Sequence, residues 1–276
     1  METEPIDKWV RGSVGDTVVV DTRTPLLFWE ETFPVPNYAV DRADVRLDLL
    51  VPTSTPAPAG FDFFEPHGPV SEVFDLVIGD RRVPRAAWRR DDPALGDRIV
   101  LTWRPASIDW REEDEVVAGH PRDPHKRVEA LASSRHVVVS VDGEVLAESH
   151  APVLLLETSL PTRFYLPEAD LRPGLLVASD TRSHCPYKGV ADRYWSLRDR
   201  PDLSDIAWSY AEPYPAVQAI AGRIAFYNEL IDITVDGVRL DRPTSPFSTR
   251  EQRPRADDPE GRDPDDDGHR MRHAAT

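Results

Sequence analysis

Cys185-Pro186-Tyr187-Lys188-Gly189 packs a soft nucleophile, a phenol and an ammonium into five residues. A cation beside the thiol, from Lys188 or His184, would favour the thiolate and make Cys185 a nucleophile. Lys188 could instead serve as a point charge for an anionic ligand. The competing reading is that Pro186 and Gly189 shape a turn while Cys185 packs as a small hydrophobe. Glu157 ends the apolar run Pro152-Val153-Leu154-Leu155-Leu156, where a core meets the surface. A carboxylate there suits either a general base or a fold device bonded to Arg163 or a backbone amide. Cys185, Lys188 and Glu157 are therefore the candidate catalytic residues.

A second set would bind ligand. Arg163 and Tyr165 lie two apart on an expected strand and so point to one face. Tyr227 and Glu229 share a face in the same way, as do Trp208 and Tyr210. Arg163, Tyr165, Tyr187, Tyr227, Glu229 and Trp208 are the candidate ligand-binding residues, although for each aromatic alone packing is the commoner role. The eight histidines form no metal constellation: His120 and His125 lack a third ligand, and His269 and His273 have no supporting helix. No metal and no cofactor are expected. Ser183-His184 lacks the Gly-x-Ser-x-Gly elbow of a serine hydrolase. In His120-Pro121-Arg122-Asp123-Pro124 the prolines stiffen the chain, and Arg122 with Asp123 would clamp this connector to a domain.

The elements that must position these residues read as strands. His136 to Val141 is β-branched and meets an Asp142-Gly143 hairpin signal. Val153 to Glu157, Arg163 to Leu166, Ile206 to Tyr210, Ile224 to Asn228 and Leu230 to Val235 follow, the last reaching the Asp236-Gly237 turn. No stretch keeps a 3.6-residue period, and 27 prolines punctuate the chain. Short strands with frequent turn signals predict an all-β fold of small tent-like or barrel-like domains.

The chain also says nearly the same thing twice. Val14-Gly15-Asp16-Thr17-Val18, Pro25, Glu30, Pro34 and Tyr38 return at constant spacing as Val141-Asp142-Gly143-Glu144-Val145, Pro152, Glu157, Pro161 and Tyr165. After one deletion Leu49-Leu50-Val51 meets Leu175-Leu176-Val177. In this alignment Trp103 matches Trp208, Trp110-Arg111-Glu112 matches Tyr227-Asn228-Glu229, and Arg163 faces Pro36. A repeat this long means two tandem domains, expected to be related by a pseudo-two-fold axis. The predicted division is a flexible leader 1–12, a first degenerate copy 13–117, a Pro-rich connector 118–133, a second copy 134–243 carrying the candidate site, and a disordered tail 244–276. The first copy carries a Pro- and Phe-rich insertion in residues 52–98. Its segment 55–70, with Phe61, Phe63 and Phe64, would suit docking of a partner.

The 276 residues carry a formal charge of −16, and an acidic body repels phosphate backbones, which argues against nucleic acid. One cysteine excludes an intramolecular disulfide and suits a reducing compartment, the cytoplasm. No apolar run is long enough for a membrane span. The expected partner is a small molecule, and the expected state is a monomer containing an internal pseudo-dimer.

Trp110 with Glu112-Glu113-Asp114-Glu115, then His120 to Pro124, Ser133 to Val137, Leu160-Pro161-Thr162-Arg163-Phe164-Tyr165, Cys185 to Gly189, and Ala221-Gly222 to Glu229 resemble a bacterial family known as domain of unknown function 427. The resemblance covers residues 14–240. It implies small all-β domains of the β-tent type in tandem. The family also carries a loose nucleotidyltransferase label. This sequence shows no Gly-Ser followed by a spaced Asp-x-Asp and no Gly-rich phosphate loop, the residues such chemistry uses. The best reading is an enzyme acting on a polar or anionic metabolite in the second domain. The alternative is a non-catalytic ligand-binding or protein-interaction module.

Overall fold

The computed structural model describes residues 1–31, 33–249 and 253. It divides into two compact units between Asp123 and Pro124, and both are built from strands and short 3-10 turns. In the first unit the strands are β1 Glu2–Pro5, β2 Val10–Val14, β3 Thr17–Thr22, β4 Leu26–Glu30, β5 Phe33–Val40, β6 Leu50–Pro52, β7 Glu72–Ile78, β8 Arg81–Arg89, β9 Ile99–Leu101, β10 Asp109–Glu112 and β11 Glu115–Val117. They form one sheet in the order β1-β4-β5-β9-β8-β7-β6 and a second in the order β11-β10-β2-β3.

The second unit has β12 Val128–Ala132, β13 Val137–Val141, β14 Glu144–Ser149, β15 Val153–Glu157, β16 Arg163–Tyr165, β17 Leu176–Ser179, β18 Ser183–Cys185, β19 Gly189–Ala191, β20 Arg193–Leu197, β21 Ala207–Ser209, β22 Ile224–Phe226, β23 Asp232–Val235 and β24 Val238–Arg239. Its sheets β12-β15-β16 and β17-β20-β21-β22 meet at one bridge, Leu166 to Ile224. Read through that bridge, the strand order is the order of the first unit. The sheet β14-β13-β23-β24 repeats β3-β2-β10-β11. Even the bulge recurs, between Gly12 and Ser13 in one unit and Val139 and Ser140 in the other. The all-β fold and the tandem architecture are as the sequence implies, but among the described residues the sheets stay open and none closes into a barrel.

The strand pairing corrects the internal alignment. Ala39 stands opposite Leu26 as Tyr165 stands opposite Val153. Trp88 stands opposite Val100 as Trp208 stands opposite Ala225. Trp110 faces Gly12 as Ile233 faces Val139. Core membership agrees: Tyr38 packs with Val10, Val20 and Leu101, whereas Phe164 holds the comparable place beside Val137, Ala147 and Phe226. Tyr165 lies in the other cluster of its unit, with Val153, Leu155 and Trp208. Tyr165 thus corresponds to Ala39, not Tyr38, and Trp208 to Trp88, not Trp103. The deletion falls before the tyrosine rather than after it. A one-residue slip turns every side chain to the opposite face, so a shared letter misled where parity decides.

Three other expectations change. Residues 1–12, expected as a leader, form β1, which pairs along β4, and the start of β2, where Val10 is fully buried. The connector 118–133 contains β12, which pairs along the whole of β15 and belongs to the second unit. Residues 244–249, placed in the disordered tail, are ordered: Ser245 caps a 3-10 turn Pro246–Ser248, and Phe247 packs 5.7 Å from the Tyr227 ring. The rest of that tail, Arg253 excepted, lies outside the described residues.

Between β17 and β20 the second unit inserts the β18–β19 hairpin. The same connection in the first unit, between β6 and β7, is the segment 53–71. The two units therefore share a frame and differ most at one connection.

Candidate functional site

The β18–β19 hairpin exists because Pro186 and Gly189 permit a tight reversal. Cys185 pairs with Gly189 across it, and the Lys188 backbone N–H donates to the Cys185 carbonyl at 3.3 Å. Gly189 has φ +97, and a Cβ there would lie 3.5 Å from the Glu212 carbonyl oxygen. Only glycine adopts that backbone without strain. The Tyr214 N–H then donates to the Lys188 carbonyl at 3.0 Å and pins the loop. Cys185 and Tyr187 remain half-buried, while Lys188 is buried.

The buried ammonium finds its partner at the end of β15. Lys188 Nζ donates to Glu157 Oε2, and Lys126 Nζ stands 3.8 Å from Glu157 Oε1. Burial by itself would pull the Lys188 ammonium down. The charges of Cys185, Glu157 and Tyr165 oppose that, and the group is held above the ordinary lysine range. Glu157 bonds Lys188 rather than Arg163, the partner anticipated for it. Its counterpart Glu30 receives a cation too: Arg90 Nη2 donates to Glu30 Oε2 at 2.8 Å, with both side chains nine-tenths buried. A carboxylate ends this strand in both units, and each is held by a cation from elsewhere in the chain.

Arg163 makes a separate centre. Its guanidinium grips Glu229 at 2.5 and 2.6 Å and also donates to Asn228 Oδ1. Ser245 Oγ donates to Glu229 from the C-terminal turn. The guanidinium lies over Tyr227 at 5.4 Å and Trp208 at 5.5 Å. Desolvation would raise the Glu229 carboxyl, but the Arg163 bonds hold it below the usual range. Trp208 joins the two centres: its Nε1 donates to the Tyr165 hydroxyl at 3.0 Å, and its ring lies 4.4 Å from Tyr227.

Of the expected residues, Cys185, Lys188, Glu157 and Tyr165 therefore converge, and Arg163, Glu229 and Tyr227 form the adjoining ion pair and its rings. Arg122 and Asp123 belong elsewhere, in the first unit. The Arg122 N–H donates to Glu112 at 3.0 Å, its Nη1 to Glu115 at 2.7 Å, and Trp29 Nε1 donates to Asp123 at 3.2 Å. Sequence reasoning missed Lys126, which the connector hid, and Tyr194 and Asn228. It also missed the Lys8–Glu112–Tyr38 network, in which Lys8 and Tyr38 both donate to Glu112, at 2.9 and 2.8 Å. Among the described residues, no group of three His, Cys, Asp or Glu side chains is placed to hold a metal ion. No helix among them is long and apolar enough to cross a membrane.

Four tyrosines around this site are buried as neutral phenols. Desolvation raises Tyr165, Tyr194 and Tyr210 well above the ordinary range and Tyr227 to about 12. The unfolded chain loses those protons near pH 10, so above it the unfolded state binds fewer protons than the native state. Stability is complete below pH 10 and falls above it, by about 1.4 kcal/mol per pH unit for each such tyrosine. The raised Lys188 acts in the same direction. Alkaline unfolding should thus be steep between pH 10 and 12, with phenolate absorbance from these residues rising only as the second unit opens. Smooth titration of all seven tyrosines near pH 10 with the fold intact would contradict this burial.

Comparison with curated proteins finds no match. The sequence profile described as a domain of unknown function, DUF427, matches residues 2–98 and again 129–237. The two matched segments fall on the two units that share strand order, bulge and terminal glutamate; the chain is a tandem member of the DUF427 family.

Proposed function

We propose that this protein binds a small polar or anionic metabolite in its second unit and acts on it through Cys185. The observation that supports this is a charge imbalance beside a thiol. Lys126 and Lys188 both approach Glu157, so two ammonium groups share one carboxylate, while Arg163 and Glu229 neutralise each other. Two ammonium groups to one carboxylate leave positive charge near Cys185, which suits an anionic ligand there or the anion that forms as the thiol attacks. Lys188 supplies the charge. Glu157 is a positioning residue in this reading, because its ion pairs to Lys188 and Lys126 orient it. Tyr165, fully buried and accepting from Trp208, backs this centre from the core.

Thiol alkylation tests the proposal with two changes of opposite sign. Lys188→Met should slow iodoacetamide labelling of Cys185 at pH 7 by about tenfold, the factor that ~1.4 kcal/mol of lost attraction carries. Glu157→Gln should accelerate it by a similar factor, since the lysines then act on the thiol uncompensated. Equal rates in both variants and the parent, with fold retained by circular dichroism, would remove the charge coupling on which the proposal stands.

The non-catalytic alternative has its own support in Glu30. A glutamate that ends the strand and is ion-paired in both units has a role in the frame, and a frame role needs no turnover. Saturable ligand binding without product, unchanged in Cys185→Ala, would favour it.

A further inference from the structure

Beyond its last strand the second unit continues onto its own buried ion pair. Residues 236–242 are exposed, with Arg242 held to Asp232 at 2.9 Å. The turn Pro246–Ser248 then rests on the Arg163 centre. Ser245 Oγ donates to Glu229, and the Phe247 ring lies 5.7 Å from the Tyr227 ring and 5.9 Å from the Arg163 guanidinium. Arg253, 5 % exposed, sets its guanidinium 5.9 Å from the same Tyr227 ring. Phe247 packs against the cluster that holds Tyr165, Tyr194 and Trp208, and Ala191 of β19 packs into that cluster too.

Tyr227 leads from this segment to the hairpin that bears Cys185. Its hydroxyl is hydrogen-bonded to that of Tyr194, and the Tyr194 hydroxyl stands 2.7 Å from Ser183 Oγ. Ser183 lies on β18 two residues before Cys185, so the two side chains share a face. Three hydroxyls thus form a line from the ring under Phe247 to the strand that carries the thiol. Both tyrosines are buried, where a hydroxyl that loses its partner is costly, so a shift at one end is passed along the line. The receiving end is weakly held. β18 and β19 pair only with each other, and a two-stranded hairpin is marginal without tethers.

We propose that residues 245–249, with Arg253, are a strap that gates Cys185. Docked, the strap holds the Tyr227–Tyr194–Ser183 line and, through it, the β18–β19 hairpin. Released, it lets the hairpin open and admits a reactant to the thiol. The strap opens more readily than the unit unfolds, because few contacts hold it and the residues that lead to it are exposed. The gate concerns access, so it stands whether or not the lysines activate the thiol.

The test uses the full chain and two readouts: amide hydrogen exchange across residues 183–191, and labelling of Cys185 by N-ethylmaleimide, a neutral reagent. Phe247→Ala should speed both by about tenfold and leave exchange in β13 unchanged. Phe247→Leu keeps an apolar contact and should restore most of the protection. Ser183→Ala should speed both readouts by itself, and Phe247→Ala added to it should change little further, because the line is already cut. Parent rates in Phe247→Ala would overturn the proposal. So would an equal rise in β13, which marks a loss of stability across the whole unit. Strictly additive effects of the two changes would overturn it as well, since the hydroxyl line would then carry no coupling. Lys188 and Glu157 are the same in every variant compared, so a failure of the charge coupling at Cys185 leaves this result readable.

Discussion

Replacing Arg163 with Met should destabilise the second unit by about 3–5 kcal/mol, the cost of stranding a buried charge. The Glu229 side chain is fully buried and that of Arg163 is 7 % exposed. Without the guanidinium, Glu229 keeps Ser245 as a donor but loses both arginine bonds, and Asn228 Oδ1 loses its arginine donor while Nδ2 keeps the Thr162 carbonyl. The rings of Tyr227, Trp208 and Phe247 also lose the cation they surround. Because the chain has two units, a single melting curve is a poor measure. Amide hydrogen exchange in β13 and β22 reads the second unit alone, and its protection should fall by the stated free energy. The double variant Arg163→Met, Glu229→Leu should recover most of the loss, since an apolar pair of similar volume removes the stranded charge. A loss under about 1 kcal/mol for the single variant would mean that water reaches Glu229, contrary to its burial.

Much of this architecture was legible in the residues. The Asp-Gly turns, the β-branched runs and the doubled signposts fix an all-β tandem, because turn chemistry and alternation are local properties. The grouping of Cys185, Lys188 and Glu157 was legible in part: the pentapeptide holds two of them together, and only the fold brings Glu157 beneath it. The pairing of Arg163 was not. Its partner Glu229 sits 66 residues away in the chain, and no local signal distinguishes it from Glu157. The internal alignment failed for a different reason. Letters such as Tyr38 and Tyr165 match, but a strand's faces alternate, so a single deletion transfers a residue from one core to another. Trp88 and Trp208 are the true counterparts, as the residue across the strand establishes and the residue itself does not.

The corrected alignment also shows where divergence was allowed. In both units the connection after β6 or β17 returns over the end of β4 or β15, and both ends carry a buried glutamate. In the first unit that connection is aromatic and Glu30 is matched by Arg90. In the second it presents a thiol and an ammonium, and Lys188 itself matches Glu157. Loops are the tolerant part of a β frame, and here one loop position carries aromatic rings in one half and a thiol with an ammonium in the other.

The frame itself supplies the other large effect. Gly12 lies at the centre of β2, opposite Val20 on one side and Trp110 on the other. A Cβ at Gly12 would stand 2.8 Å from Val20 Cγ1 and 2.9 Å from Ile108 Cγ2, with Trp110 at 3.2 Å. All three neighbours are buried, so none can turn away cheaply. Gly12→Val should therefore destabilise the first unit by about 1–3 kcal/mol through overpacking. The second unit states the remedy. Its counterpart of Gly12 is Val139, flanked by Ala147 where the first unit has Val20 and by Ile233 where it has Trp110. The same space is filled in both, with the bulk moved from the neighbours to the central strand. Val20→Ala alone should cost about 2 kcal/mol as a cavity. Combined with Gly12→Val it should be less harmful than the sum, with a favourable coupling of about 1 kcal/mol or more between directly opposed residues. Adding Trp110→Ile should not undo that gain, although it releases the Thr102 carbonyl from its indole donor. Hydrogen exchange in β2 and β3 measures each step. Strict additivity of the Gly12 and Val20 changes would mean that the two cores are filled by different rules, and the pairing of Gly12 with Val139 would lose its physical basis.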